Sequence, residues 1–216
     1  AIKVSGTEVI SNARALTNVA SIDATTAASI TAGGVGGGGM VPLSTITTVN
    51  NNAGVVITFP VGYNHYKIMY QNWYPDSGGN GQPLIYFSPN GGSTWPNYYN
   101  TYTTHGSNSS LSSDFNYYKG TGYQLISDYG SGPYSGGNRT GNNGEITIIS
   151  PRDAGTWTQT YGRFLATTDN NTNPVTRIHT GAITQAVAHT AIKFTTYQNI
   201  AFRAGAKFTL YGIVEL

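Results

Sequence analysis

The sequence predicts an all-β protein, an antiparallel β-sandwich or jelly-roll head preceded by a short N-terminal anchor or shaft segment. Three observations predict it. Runs of β-branched and aromatic residues recur with period-two alternation, clusters of Gly, Pro, Asn and Asp separate them, and no segment sustains a helical repeat over several turns.

In chain order, Ile2, Val4, Val9 and Ile10 read as two strands about Ser5-Gly6, or as one strand and a turn. Residues 11–32 are small and Ala/Thr-rich. Leu16, Val19 and Ile22 stand three apart, as in a short helix, while the many Thr and Ser favour an irregular segment. Residues 33–39, GGVGGGG, are a Gly-rich joint, and every Trp, Tyr and Phe lies beyond it. The expected organisation is therefore an anchor over 1–32, a linker over 33–41 and a head over 42–216.

Within the head, TITTV (45–49), VVITFPV (55–61), YKIMY (66–70) and LIYFS (84–88) read as strands. So do YQLI (123–126), EITIIS (145–150), RFLATT (163–168), AIKFTTY (191–197) and KFTLYGIVEL (207–216). Asn90-Gly91-Gly92 suits a hairpin turn needing positive φ, with Ser93, Thr94 and Trp95 restarting a strand. Residues 97–143, rich in Tyr, Ser, Asn and Gly, are too long for a turn and are expected to form a surface excursion.

Composition narrows the function. Charged residues are 9% of the 216, against roughly 25% in ordinary domains, and hydrophobic residues are 38%. Gly, Ser, Thr, Asn and 16 Tyr fill the difference, and aromatics at 12% supply the buried area that a disordered chain lacks. The net charge is +2 and the basic residues are scattered singly, which disfavours nucleic acid as a partner. There is no Cys, so disulfides are excluded. The first ten residues lack the apolar stretch of a secretory signal, and no 18-residue apolar run exists, so neither export by such a signal nor membrane insertion is expected.

Several phrases, taken in order, resemble the shafts and heads of tailed-bacteriophage fibre, spike and virion-decoration proteins. AIKVSGTEVISNARALTNVASIDATT is similar to a fibre-shaft phrase leading into a head. VVITFPVGYNHYKIMYQNWYP, LIYFSPNGGSTW, GEITIISP and NIAFRAGAKFTLYGI resemble successive strands of such heads, with Asn90 where Asp is commoner. The resemblance implies a non-enzymatic component of the virion surface, a homotrimer or otherwise symmetric assembly. It would join other phage virion proteins through its N-terminal segment, with Val4, Ile10, Leu16 and Ile22 burying against neighbouring copies.

For function, a short tail fibre or spike that binds a host-surface glycan stands first. A capsid decoration or cement protein is an alternative, and a carbohydrate-binding module or glycan-degrading enzyme another. Tyr98, Tyr99, Tyr102 and Tyr134, with Trp73 and Tyr74, are the candidate ligand contacts, since flat rings stack on sugars and neutral Asn, Ser and Thr meet hydroxyls. The competing reading makes them subunit interface or core cover.

No catalytic residue, metal or cofactor is expected. The nine carboxylates form no Asp-x-Asp or Glu-x-x-Glu pair, and Asp114 and Asp128 read better as turn-capping residues than as glycosidase acids. His65, His105, His179 and His189 show no short ligand spacing. DNNTN (169–173) lacks the Gly and Glu of an EF-hand calcium loop.

Overall fold

Fourteen strands carry the described part of the chain, and no helix occurs there. The structure, a computed structural model, describes residues 2–4, 7–10, 39–49, 53–73, 83–107, 113–122, 124–125, 142–167, 174–196, 201–202 and 204–214. The chain divides into two compact units, residues 1–39 with 214–216, and Met40–Ile213.

The first unit contains β1 (Ile2–Val4) and β2 (Thr7–Ile10), paired antiparallel with Val4 opposite Thr7. This is the two-strand alternative. The side chains of Val4 and Ile10, and the whole of Leu16 and Ile22, lie outside the described residues, as does the helix-or-irregular question over 11–32.

The second unit is the antiparallel sandwich. Its strands are β3 (Met40–Thr47), β4 (Val55–Thr58), β5 (His65–Trp73), β6 (Pro83–Ser88), β7 (Tyr99–Ser107), β8 (Ser113–Thr121) and β9 (Gln124–Leu125). Then follow β10 (Asn142–Ile149), β11 (Gln159–Thr167), β12 (Pro174–Ile183), β13 (Ala191–Thr196) and β14 (Lys207–Ile213). One sheet has eight strands in the order β3-β14-β5-β10-β11-β12-β7-β8. The other has four, β4-β13-β6-β9. β3 takes in Met40 and Val41, so the last two residues assigned to the linker belong to the head.

Alternation explains the packing. Val55 and Ile57 face inward while Val56 and Thr58 face out, and Phe208 and Leu210 are buried between outward-facing neighbours. The core joins both sheets through Ile57, Phe87, Ile192 and Phe194 on one side and Ile68, Ile146, Ile148 and Phe208 on the other. Each such side chain contributes about 1.5–3 kcal/mol by leaving water.

Two expectations need correction. Residues 97–143 are not wholly a surface excursion, because 99–107 and 113–121 are β7 and β8, paired at one edge of the large sheet. The Asn90-Gly91-Gly92 turn has positive φ at both glycines, 69° and 95°, but it links β6 of the small sheet to β7 of the large one and forms no hairpin. Residues 93–98 form no strand. Ser88 and Asn90 hold the turn instead. The Gly92 N–H donates to Ser88 Oγ at 2.9 Å and the Thr94 N–H to Asn90 Oδ1 at 2.9 Å.

Candidate functional site

Strand register gives the head two unlike ends. Met40, Ile213, His65, Ile149, Gln159, Ala182 and Thr101 lie in one row across the large sheet. That row marks the near end, where the second unit begins and finishes. Because successive strands reverse direction, five links turn at this end, among them 59–64, 89–98, 150–158 and 184–190.

The near-end links are fastened to one another. Arg152 Nη1 donates to the Phe59 carbonyl at 2.7 Å, and the Gly91 N–H to Thr190 Oγ1 at 2.7 Å. The Ser150 N–H donates to His65 Nδ1 at 3.1 Å. His189 lies wholly buried here, its Nδ1 2.7 Å from Thr158 Oγ1, with the Tyr98 ring edge-on at 4.7 Å and Phe87 at 5.3 Å. Burial lowers its pKa from the ordinary 6.5 to about 4, since a charged imidazole would have to shed its water.

The far end is where β3, β5, β7, β9, β11 and β13 finish and β4, β6, β8, β10, β12 and β14 begin. Six connections leave and return there. Those over 74–82, 108–112, 126–141 and 168–173 read YPDSGGNGQ, NSSLS, ISDYGSGPYSGGNRTG and TDNNTN. They are rich in Gly, Ser, Asn and Tyr and poor in aliphatic residues, a composition suited to binding neutral polar ligands.

Beside the far end, the outer face of the large sheet holds a groove of about 340 Å³, lined by Met69, Gln71, Asn143, Glu145, Arg163 and Leu165 among others. Glu145 sits 3.0 Å from Lys67 Nζ and 3.0 Å from Arg163 Nε. The hydrogen bond from Lys67, with the charges of Lys67 and Arg163, holds its carboxyl below the usual range despite partial burial. A carboxylate so engaged is a poor proton donor near neutral pH.

The structure separates the residues picked out as ligand contacts. Trp73 is 1% exposed and sits among Tyr70, Phe194, Phe202 and Phe208, with ring centroids 5.3–5.7 Å away. Tyr98 is 7% exposed against His189. Tyr102 is 6% exposed and packs on Leu84 beside His179. These three cover the core and offer no face to a sugar, which corrects the reading of them as contacts. The side chain of Tyr99, and all of Tyr74 and Tyr134, lie outside the described residues, as do Asp128, residues 169–173 and the side chains of Asp114 and His105.

A buried polar cluster between the two sheets was missed. Arg177 and His179 on β12 are fully buried. The Thr160 hydroxyl donates to Gln124 Oε1 at 2.8 Å and lies 3.0 Å from His179 Nε2. No spacing in the sequence marks the group, because its members come from β9, β11 and β12. No protein-family model matches the chain, and no curated protein matches it either.

Proposed function

We propose that the chain is a structural protein of a bacteriophage particle, a short tail fibre or spike whose head binds a host-surface glycan through its far end. The carrying observation is the polarity of the head. The second unit begins and finishes at one end, and the longest connection, 126–141, rich in Gly and Ser with Tyr129 and Tyr134, leaves from the other. A body attached by the first end presents the second outward. Loops on a rigid scaffold are the usual place for recognition. The phrases shared with phage fibre heads support the same reading.

Tyr74 and Tyr134 are the aromatic contacts retained from the sequence, because they belong to far-end connections. The head binds and does not cleave, and Glu145, tied to Lys67 and Arg163, supports that. Weak single sites multiply where several copies sit on one particle.

The test uses the full chain, fluorescently labelled, on cells of the strain that the particle infects. Replacing 126–141 with a short Gly-Ser link is expected to lower cell binding by about tenfold or more, roughly 1.4 kcal/mol per site, with an unchanged melting temperature. Tyr134→Ala should do part of the same. Binding that survives both changes would move recognition away from the far end. Antibody labelling that decorates capsids and not tails would favour the decoration protein instead.

A further inference from the structure

We propose that the groove on the outer face of the eight-stranded sheet takes an acidic sugar, with the sugar's carboxylate on Arg163. The glycan of the recognition reading, on which this rests, is thereby a carboxylated polysaccharide.

Charge around the groove does not balance. On β14, β5, β10 and β11 the outward positions hold Lys207, Lys67 and Arg163 against one carboxylate, Glu145. Exposure decides where the surplus lies. The Lys67 and Glu145 side chains are each 21% exposed and lie 3.0 Å apart, whereas Arg163 is 69% exposed. Lys67 and Glu145 therefore largely cancel each other, and the uncompensated charge is the outer end of Arg163.

Glu145 also aims that end. Its Oε1 accepts from Arg163 Nε at 3.0 Å and its Oε2 lies 3.0 Å from Lys67 Nζ, so both oxygens are engaged. A guanidinium held by Nε keeps its two Nη groups, and neither makes a hydrogen bond among the described residues. The edge they form carries two parallel N–H groups, which match the two oxygens of a carboxylate.

The groove supplies the rest of a sugar site. Its volume of about 340 Å³ lies within the roughly 300–1,000 Å³ of small-ligand sites. Met69 and Leu165, both partly exposed, offer apolar area to the C–H face of a ring, and Gln71 and Thr176 offer hydrogen bonds to hydroxyls. Lys207, level with Gln71 on the neighbouring strand, adds a second positive group three strand spacings, or about 14 Å, from Arg163. So small a surplus would not track a nucleic-acid backbone, which calls for a run of cations. The groove lies beside the far end, so one extended glycan reaches both.

The probes are oligogalacturonate, a carboxylated oligosaccharide, and the same oligomer with its carboxyls reduced to alcohols, each titrated into the full chain by calorimetry. The acidic oligomer should bind at least about tenfold more tightly, the difference expected of one charge-assisted contact. Arg163→Gln should remove that advantage and leave the reduced oligomer unchanged. Leu165→Asp, at an exposed position two residues along the same strand, sets a carboxylate beside Arg163 and should do the same.

Three results overturn the proposal: equal binding of the two oligomers, binding of neither at millimolar concentration, or an acidic advantage that survives both substitutions. If circular dichroism shows one variant unfolded, the other decides, and the comparison of oligomers needs neither. The recognition reading fails separately. Cell binding that is unchanged by replacing 126–141, with the acidic oligomer still bound through Arg163, would put recognition in the groove and not in that connection. Cell binding lost on that replacement, with neither oligomer bound, would keep the far end and remove the acidic sugar.

Discussion

Trp73→Ala is expected to destabilise the head by about 3–5 kcal/mol, the cost of emptying a large aromatic site that cannot collapse. Four rings surround Trp73, those of Tyr70 at 5.3 Å, Phe202 at 5.5 Å, Phe194 at 5.6 Å and Phe208 at 5.7 Å, three of them close to perpendicular. They come from both sheets and from the link before β14, so their common contact is lost at once. For a head of this size the melting temperature should fall by roughly 6–20 °C. Trp157→Ala, at a 51% exposed position, should change stability by less than about 0.5 kcal/mol. Urea melts at one protein concentration decide it. A loss below about 1 kcal/mol at Trp73 would mean that the ring is not the hub of the core.

The same residue shows where the sequence could be read and where it could not. Strict alternation from Tyr66, Ile68 and Tyr70 puts position 72 inward and 73 outward. Opposite the stretch from Tyr70 to Trp73, β10 advances only from Gly144 to Asn142, so β5 carries one extra residue. That bulge, with Asn72 at φ 53° and its N–H donating to Asn143 Oδ1 at 3.0 Å, turns Trp73 into the core. In the sequence Trp73 precedes Tyr74 and a Gly-rich run and so resembles a binding loop.

The strands β4, β5, β6, β13 and β14 were legible because β-branched and aromatic residues occupy their inward positions. β12 was not. Its inward positions hold Arg177 and His179 while Ile178 faces out, so its polarity runs opposite to the usual pattern. The three-dimensional neighbours Gln124 and Thr160 give the buried His179 its polar partners. β7 and β8 were hidden the same way, in Thr, Tyr, Asn and Gly. The far-end connections were legible as loops, but which end they share depends on register.

Acid should weaken the head through His189. With a folded pKa of about 4 against 6.5 unfolded, the unfolded chain binds the proton more readily between those values. Stability from this group is complete above about pH 6.5, falls as pH drops through the window, and levels off below about pH 4. The full loss is about 3 kcal/mol. Phe87, Tyr98 and Thr158, which pack on the ring, carry no charge to offset it. His189→Gln keeps a polar group beside Thr158 and removes the titration, so its stability should vary much less between pH 7 and pH 4.5. Equal pH slopes for the two proteins in urea melts would assign the acid sensitivity elsewhere.

The reversal of every strand between two ends also makes the head a natural display scaffold. Any peptide spliced between β9 and β10, or between β11 and β12, starts and finishes at the far end, so the paired registers of the sheets set its footing whatever its length. Length added there costs little, since closure entropy grows only by about 0.6 kcal/mol per doubling. The fastened near-end links lie away from the splice points. Libraries of foreign segments in these positions should therefore share one fold and one melting temperature while differing in what they bind.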